Sequence, residues 1–309
     1  MVRTALTCRP RGAALVLAML VAALAAVVAI AVASGQQRWF ADVANRRDQV
    51  QAQALALAGV QWARQIMQDD ARNSTIDHLA EAWAFPLPRT PLDDGSIEGG
   101  IEDAQGRLNV NNLALDNGLG KEEHTRLGRL FARRGVPVAA LETIADWVDA
   151  DQDVRPGGAE DAAYAQAPSP SLPANAPLVR TAELAAVRGL TPRDVARIAP
   201  FVAALPPGTV LNVNTAPPEV IAAAVEGLDG ERLATFIADR ARKPFTTIAE
   251  FRARLPDGVI AVNETALGVS SNYFLVTVRA RQGRAIAQAR ALLKRDGREW
   301  PVVVWQTLE

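Results

Sequence analysis

One stretch of the chain reads Asp149-Ala150-Asp151-Gln152-Asp153-Val154-Arg155-Pro156-Gly157-Gly158-Ala159-Glu160, with acids at its first, third, fifth and twelfth positions. Alternate side chains of such a loop can converge on one cation, and a final Glu can close the shell with both oxygens. This is EF-hand ligand spacing. Hard carboxylate donors with no His or Cys among them suit calcium rather than zinc. Asp146 and Asp161 flank the loop and can extend the site or hold a second ion. The sixth position, where an EF-hand needs Gly for its turn, is Val154. From spacing alone, a calcium site and a solvated acidic loop are equally good readings.

Little else in the sequence could do chemistry. The only histidines are His78 and His124, and the single cysteine, Cys8, precedes a long apolar run. A lipoprotein cysteine would follow such a run, and one cysteine excludes an intrachain disulfide. No Ser-His-Asp set, phosphate loop or zinc motif is present, and Asp69-Asp70 and Asp93-Asp94 read as solvated helix-end and turn residues. The expectation is a protein that is not an enzyme, with an exported enzyme as one alternative. A second alternative is an exported DNA-binding protein. Arg188-Gly189-Leu190-Thr191 and Asn214-Thr215-Ala216-Pro217-Pro218 are similar to helix-hairpin-helix modules. Such modules should be basic, but residues 181–260 carry as many acids as bases, so no nucleic acid is expected.

The elements that must position the loop begin with residues 13–33, an unbroken run of Ala, Leu, Val, Met and Ile. As a helix it would be about 31 Å long, enough to cross a bilayer core. Arg3, Arg9 and Arg11 precede it, which keeps the N-terminus cytoplasmic and exports the bulk. Two cleavage sites compete. Ala31-Val32-Ala33 before Ser34 fits signal peptidase, which would release a soluble protein. Arg11-Gly12 before the apolar run fits a prepilin leader, with Gly12 and Ala13 flanking the cut. The run is long for a signal peptide, and no proline interrupts residues 13–67. Phe40, Val43, Val50, Ala54, Leu57 and Ile66 continue a helical apolar spacing, which favours the prepilin site. Formal charge is −1. It becomes about −4 once the leader arginines are lost, which argues against nucleic acid or anionic lipid as main partner.

Downstream, residues 96–102 and 107–110 around Gln105-Gly106 read as a short hairpin. Residues 113–255 are mostly helical in pattern. Pro137 suits the start of a helix over 138–148. Thr191-Pro192-Arg193-Asp194 and Thr247-Ile248-Ala249-Glu250 read as helix starts. Residues 165–177 read as a surface loop. The end of the chain turns to strands: Phe274, Val276, Val278 and Ala280 alternate with more polar neighbours, Gln282-Gly283 supplies a turn, and Asp296-Gly297 signals a two-residue hairpin. Pro301 suits an edge strand. Leu108-Asn109-Val110-Asn111 recurs as Leu211-Asn212-Val213-Asn214, either by chance or as a duplicated unit.

Three passages together resemble the type II secretion system protein K family of minor pseudopilins. They are Arg11-Gly12 with its apolar helix, the segment from Ala145-Asp146-Trp147-Val148-Asp149 through Asp161 to Tyr164, and Leu205-Pro206-Pro207-Gly208 through Asn214-Thr215-Ala216. The resemblance implies an α+β fold: a pilin-like long N-terminal helix plus antiparallel sheet, with a large, mostly helical inserted domain. It divides the chain into a leader (1–12), a transmembrane and amphipathic helix (13–68), a pilin-like α/β domain (69–112 and 265–309) and a SAM-like or helix-hairpin-helix-like insertion (113–264). It implies cleavage by prepilin peptidase and a single pass through the cell inner membrane with the bulk periplasmic. It also implies a place at the pseudopilus tip beside minor pseudopilins I and J and major pseudopilin G. It favours calcium, one ion or two, at Asp146, Asp149, Asp151, Asp153, Glu160 and Asp161. Most pilins carry Glu at the fifth mature position, which here is Leu17. A tip subunit lacks one of the usual neighbours, and an unpaired carboxylate in lipid would be costly.

Overall fold

A computed structural model describes residues 11–166, 171–259 and 263–309. Residues 1–10 of the expected leader, with Arg3, Cys8 and Arg9, and part of the 165–177 loop lie outside the described residues.

Helix α1 (Arg11–Asn73) is one uninterrupted element. Its apolar first half is fully exposed and long enough to span a membrane. Its second half lies on a five-stranded antiparallel sheet of order β1-β2-β7-β8-β9: β1 (Leu87–Leu92), β2 (Gly95–Asp103), β7 (Tyr273–Gln282), β8 (Ala285–Lys294) and β9 (Val302–Leu308). The buried stripe of α1 is Ala52, Ala56, Val60, Ala63 and Met67, facing Phe274, Val276, Val278 and Ala280 of β7 and Ala287, Ala289 and Ala291 of β8. The strand alternation therefore holds. The helical stripe is corrected: Phe40, Val43, Val50 and Ala54 are exposed, and only Leu57 and Ile66 are half-buried. Small residues won the contact because the helix sits close to the sheet. A Cβ at Gly59 would come within 2.6 Å of a Val278 methyl.

The expected hairpin at Gln105-Gly106 does not form. The β1–β2 hairpin turns instead at Asp93-Asp94, and after β2 the chain enters a 3-10 turn (Ala104–Gly106) capped by the Asp103 carboxylate. Strand β3 (Leu108–Asn109) pairs with β4 (Val202–Ala203), not with β2. Asp296-Gly297 turns the chain, but β8 ends at Lys294 and β9 starts at Val302, so the connection is longer than a two-residue hairpin. The tight turn lies between β7 and β8, where Gln282 pairs with Ala285 and Gly283 has φ 51°.

The insertion leaves the sheet at Asp103 and returns at Tyr273. Leu108 and Val110 belong to its core, so it begins before residue 113. It contains α2 (Gly118–Arg134), α3 (Ala140–Val148), α4 (Asp161–Ala165), α5 (Pro192–Ile198), α6 (Pro218–Ala224), α7 (Gly230–Arg242) and α8 (Ile248–Ala253). Helix α3 starts two residues later than expected, because Pro137 opens a turn. Thr191 and Thr247 cap α5 and α8 as their sequences imply.

The repeated Leu-Asn-Val-Asn phrase does equivalent work twice. Strand β5 (Leu211–Asn212) pairs in parallel with β6 (Leu267–Gly268), as β3 does with β4. Asn109 accepts from the Asn111 amide and Asn212 from the Asn214 amide. Asn111 then clamps the backbone of Leu178 and Leu205, and Asn214 that of Phe245 and Val269. Buried Asn side chains that satisfy main-chain groups on two sides fix neighbouring loops firmly.

A polar joint ties the insertion to the body. Arg295 is held by Asp70 (2.5 Å) and Asp77 (2.5 Å), so Asp70 is not merely a solvated helix-end residue. Asp77 also accepts from the Ser271 amide. The buried Asp103 carboxylate accepts from Ser271 Oγ (2.6 Å), Thr215 Oγ1 (2.6 Å), Asn212 Nδ2 (2.9 Å) and the Gln105 amide (2.8 Å).

Candidate metal centre

Helix α3 buries Leu141, Ile144, Ala145 and Val148 in the insertion core, which brings Asp146 and Asp149 to its C-terminal end. Trp147 packs edge-on against Tyr164 of α4 (centroids 5.1 Å apart), pinning the two ends of the acidic loop together. The Tyr164 hydroxyl accepts from the Arg188 amide, anchoring α4 to the next segment.

Asp149, Asp151 and Glu160 converge, each offering an oxygen within 4.8 Å of the others. Asp146 is fully buried beneath them and accepts from the Arg155 amide. The chain passes so close that a side chain at Gly158 would run into the Asp146 carboxylate. Asp153, fifth in the loop, is exposed and outside this cluster. With Val154 at the sixth position the turn moves to Pro156-Gly157, where Gly157 takes φ 89° and the Gly158 amide bonds Arg155 O. Asp161 opens α4, where the Asn175 amide donates to it.

Sequence reasoning missed Arg155. Its guanidinium reaches Asp149 (2.9 Å) and Asp146 (3.3 Å), a cation folded into the loop by the displaced turn. The compensation is incomplete. Both carboxylate oxygens of Glu160 and one of Asp149 are buried without a hydrogen-bond partner among the described residues. Burial and the charges of Asp146, Asp149, Asp151 and Asp161 push the Glu160 carboxyl up to about 7. Burial likewise raises Asp146 and Asp149, with Arg155 opposing. Orphaned buried carboxylates are costly unless something neutralises them. A hard divalent cation fits this donor set, whereas zinc would lack its usual nitrogen and sulfur ligands.

The family model described as "Type II secretion system (T2SS), protein K" matches residues 106–207 and 211–270. The two matched spans each contain one copy of the Leu-Asn-Val-Asn phrase. The chain is 32% identical over 277 residues to a type II secretion system protein K of Pseudomonas aeruginosa, covering 86% of this chain and 83% of that one. It is 32% identical over 318 residues to its Klebsiella pneumoniae counterpart, covering 96% and 95%. Among solved structures, a chain of the GspK-GspI-GspJ complex from enterotoxigenic Escherichia coli shares the fold. The TM-score is 0.77 at 24% identity, over 87% of this chain and 99% of that chain.

Proposed function

The chain belongs to the type II secretion system protein K family, and from that premise we propose that this minor pseudopilin caps the periplasmic end of the pseudopilus. The observation that carries the reading is where the insertion sits. The β1–β2 and β7–β8 turns lie beside Asp48, Gln51 and Leu55, toward the membrane-spanning half of α1. The insertion leaves and rejoins the sheet at the opposite end, beside Asp70 and Asp77. A helical mass there blocks another subunit from stacking above, while the exposed α1 surface with Trp39, Phe40 and Trp62 stays open to helices below.

Neighbours of the I and J type fit that surface, since the structural relative is one of a GspK-GspI-GspJ complex; major pseudopilin G would follow beneath. Prepilin peptidase would cut between Gly12 and Ala13 and leave the spanning helix in the inner membrane. The role is assembly rather than catalysis. Calcium would be held by Asp149, Asp151 and Glu160 with Asp146 behind them, and would supply the positive charge that ties α3 to α4. Asp161 can support a second ion; Asp153 faces solvent.

N-terminal sequencing of the membrane-extracted protein should begin at Ala13; Ser34 or Met1 would overturn the pseudopilin account. Immunogold directed at the insertion should mark one end of each pseudopilus. Label along its length would exclude a cap.

A further inference from the structure

The outer face of the sheet, turned away from α1, is only partly covered. Tyr273, Leu292 and Trp305 meet Ala203 and Leu205 of the insertion, and beside that contact a cleft of about 420 Å³, floored in part by Leu275, stays open. Val179, Thr181 and Ala199 form its insertion wall, and Arg290 and Thr307 continue the sheet floor outward. The Trp305 indole N–H is buried at this cleft with no acceptor among the described residues. A buried donor left unmade is costly unless a ligand supplies the acceptor.

The two edges of the sheet differ in a way that bears on the same place. Strand β1 carries Pro88 and Pro91 and an irregular register, devices that discourage a further strand. Strand β9 has neither proline nor charge from Val302 to Leu308, pairs with β8 alone among the described residues, and exposes Val302, Val304 and Leu308. Trp305 and Thr307 of this open edge also line the cleft.

Charge selects the occupant. Arg290 is exposed at the mouth and pairs with no carboxylate among the described residues, and Arg180 on the opposite wall is held only loosely by Glu183 (3.9 Å). Arg107 is engaged by Glu102, and among the described residues Glu309 is the one acid lining the cleft. The balance favours an incoming carboxylate.

We propose that this cleft receives an extended, acid-bearing segment of a partner protein, which pairs with the free edge of β9, offers a carbonyl to Trp305 and sets a carboxylate against Arg290. Strand addition supplies the main-chain bonds, and the cleft and arginines read alternate side chains. The site is independent of the acidic loop and of the helix face used for assembly.

The test uses the full chain in nanodiscs and a fluorescein-labelled peptide of alternating valine and glutamate, with a valine–lysine peptide as counterpart. Anisotropy should show saturable binding of the glutamate peptide and at least about tenfold weaker binding of the lysine peptide. Arg290→Glu, at an exposed position, should reverse that preference. Trp305→Phe, which keeps the ring but removes the N–H, should weaken the glutamate peptide severalfold. No binding at millimolar peptide, equal binding of the two peptides, or affinities unmoved by both variants would overturn the proposal.

Discussion

Two buried acidic clusters in this chain face opposite situations. At the joint, Asp77 and Asp103 have all their needs met from within: Arg295, two hydroxyls, a side-chain amide and two backbone N–H groups converge on them. In the loop after α3, Glu160 has neither oxygen met among the described residues, and Arg155 turns to Asp146, Asp149 and, more distantly, Asp116. The first cluster is complete as protein alone. The second leaves buried acceptors unpartnered among the described residues, and these are where the proposed calcium would bind. Buried acids are therefore not a single signal; what distinguishes structure from site is whether the donors are already present.

The largest expected effect tests the self-sufficient cluster. Arg295→Ala strands Asp77 without its counter-charge and should cost about 3–5 kcal/mol in chemical denaturation, with or without calcium. The next tests the dependent one. Calcium at about a hundred times its dissociation constant should stabilise the protein by about 2.7 kcal/mol, and a chelator should reverse this. The double change Asp149→Ala with Asp151→Ala should abolish the shift and the calorimetric binding signal. A calcium response that survives it would erase the contrast.

Acid should move the two properties in opposite directions. Asp103 sits at about 6 in the fold against an ordinary 3.8, because burial outweighs its hydrogen bonds. The folded chain holds that proton more tightly than the unfolded one, so this contribution is complete below 3.8 and lost as pH rises through about 6. Calcium-free stability should therefore rise as pH falls from neutral toward 5. Calcium binding should weaken over the same range, since Glu160, raised to about 7, takes up a competing proton. Parallel trends would mean that both clusters behave alike. The smallest effect belongs to Asp153→Ala, expected within about 0.5 kcal/mol for stability and nearly silent for calcium, although the position fits the EF-hand frame.

Much of this was legible in the sequence because the signals were local. The length of the apolar run, the alternation over β7 and the caps at Thr191 and Thr247 each depend on neighbours within a few residues. The acids of the loop were legible as a set, but not the membership of Asp153 or the intrusion of Arg155. Both follow from one turn moving to Pro156-Gly157. The buried stripe of α1 was misread because Ala and Gly carry little hydropathic weight, yet only small residues allow that close approach to β7. The joint was invisible: Asp77, Asp103, Ser271 and Arg295 are far apart in sequence, and a polar residue shows no sign of burial until its partners are known.

The points where the insertion leaves and returns have a further consequence. Asp103 and Phe274 are directly paired across β2 and β7. The two strands therefore form a hairpin whose turn has been replaced by residues 104–273. The sheet registers on either side are set without reference to what fills that gap. The added domain is modular: removing it and bridging Asp103 to Phe274 with a tight Asn-Gly turn should leave a small pilin-like body that still folds, with a top no longer obstructed.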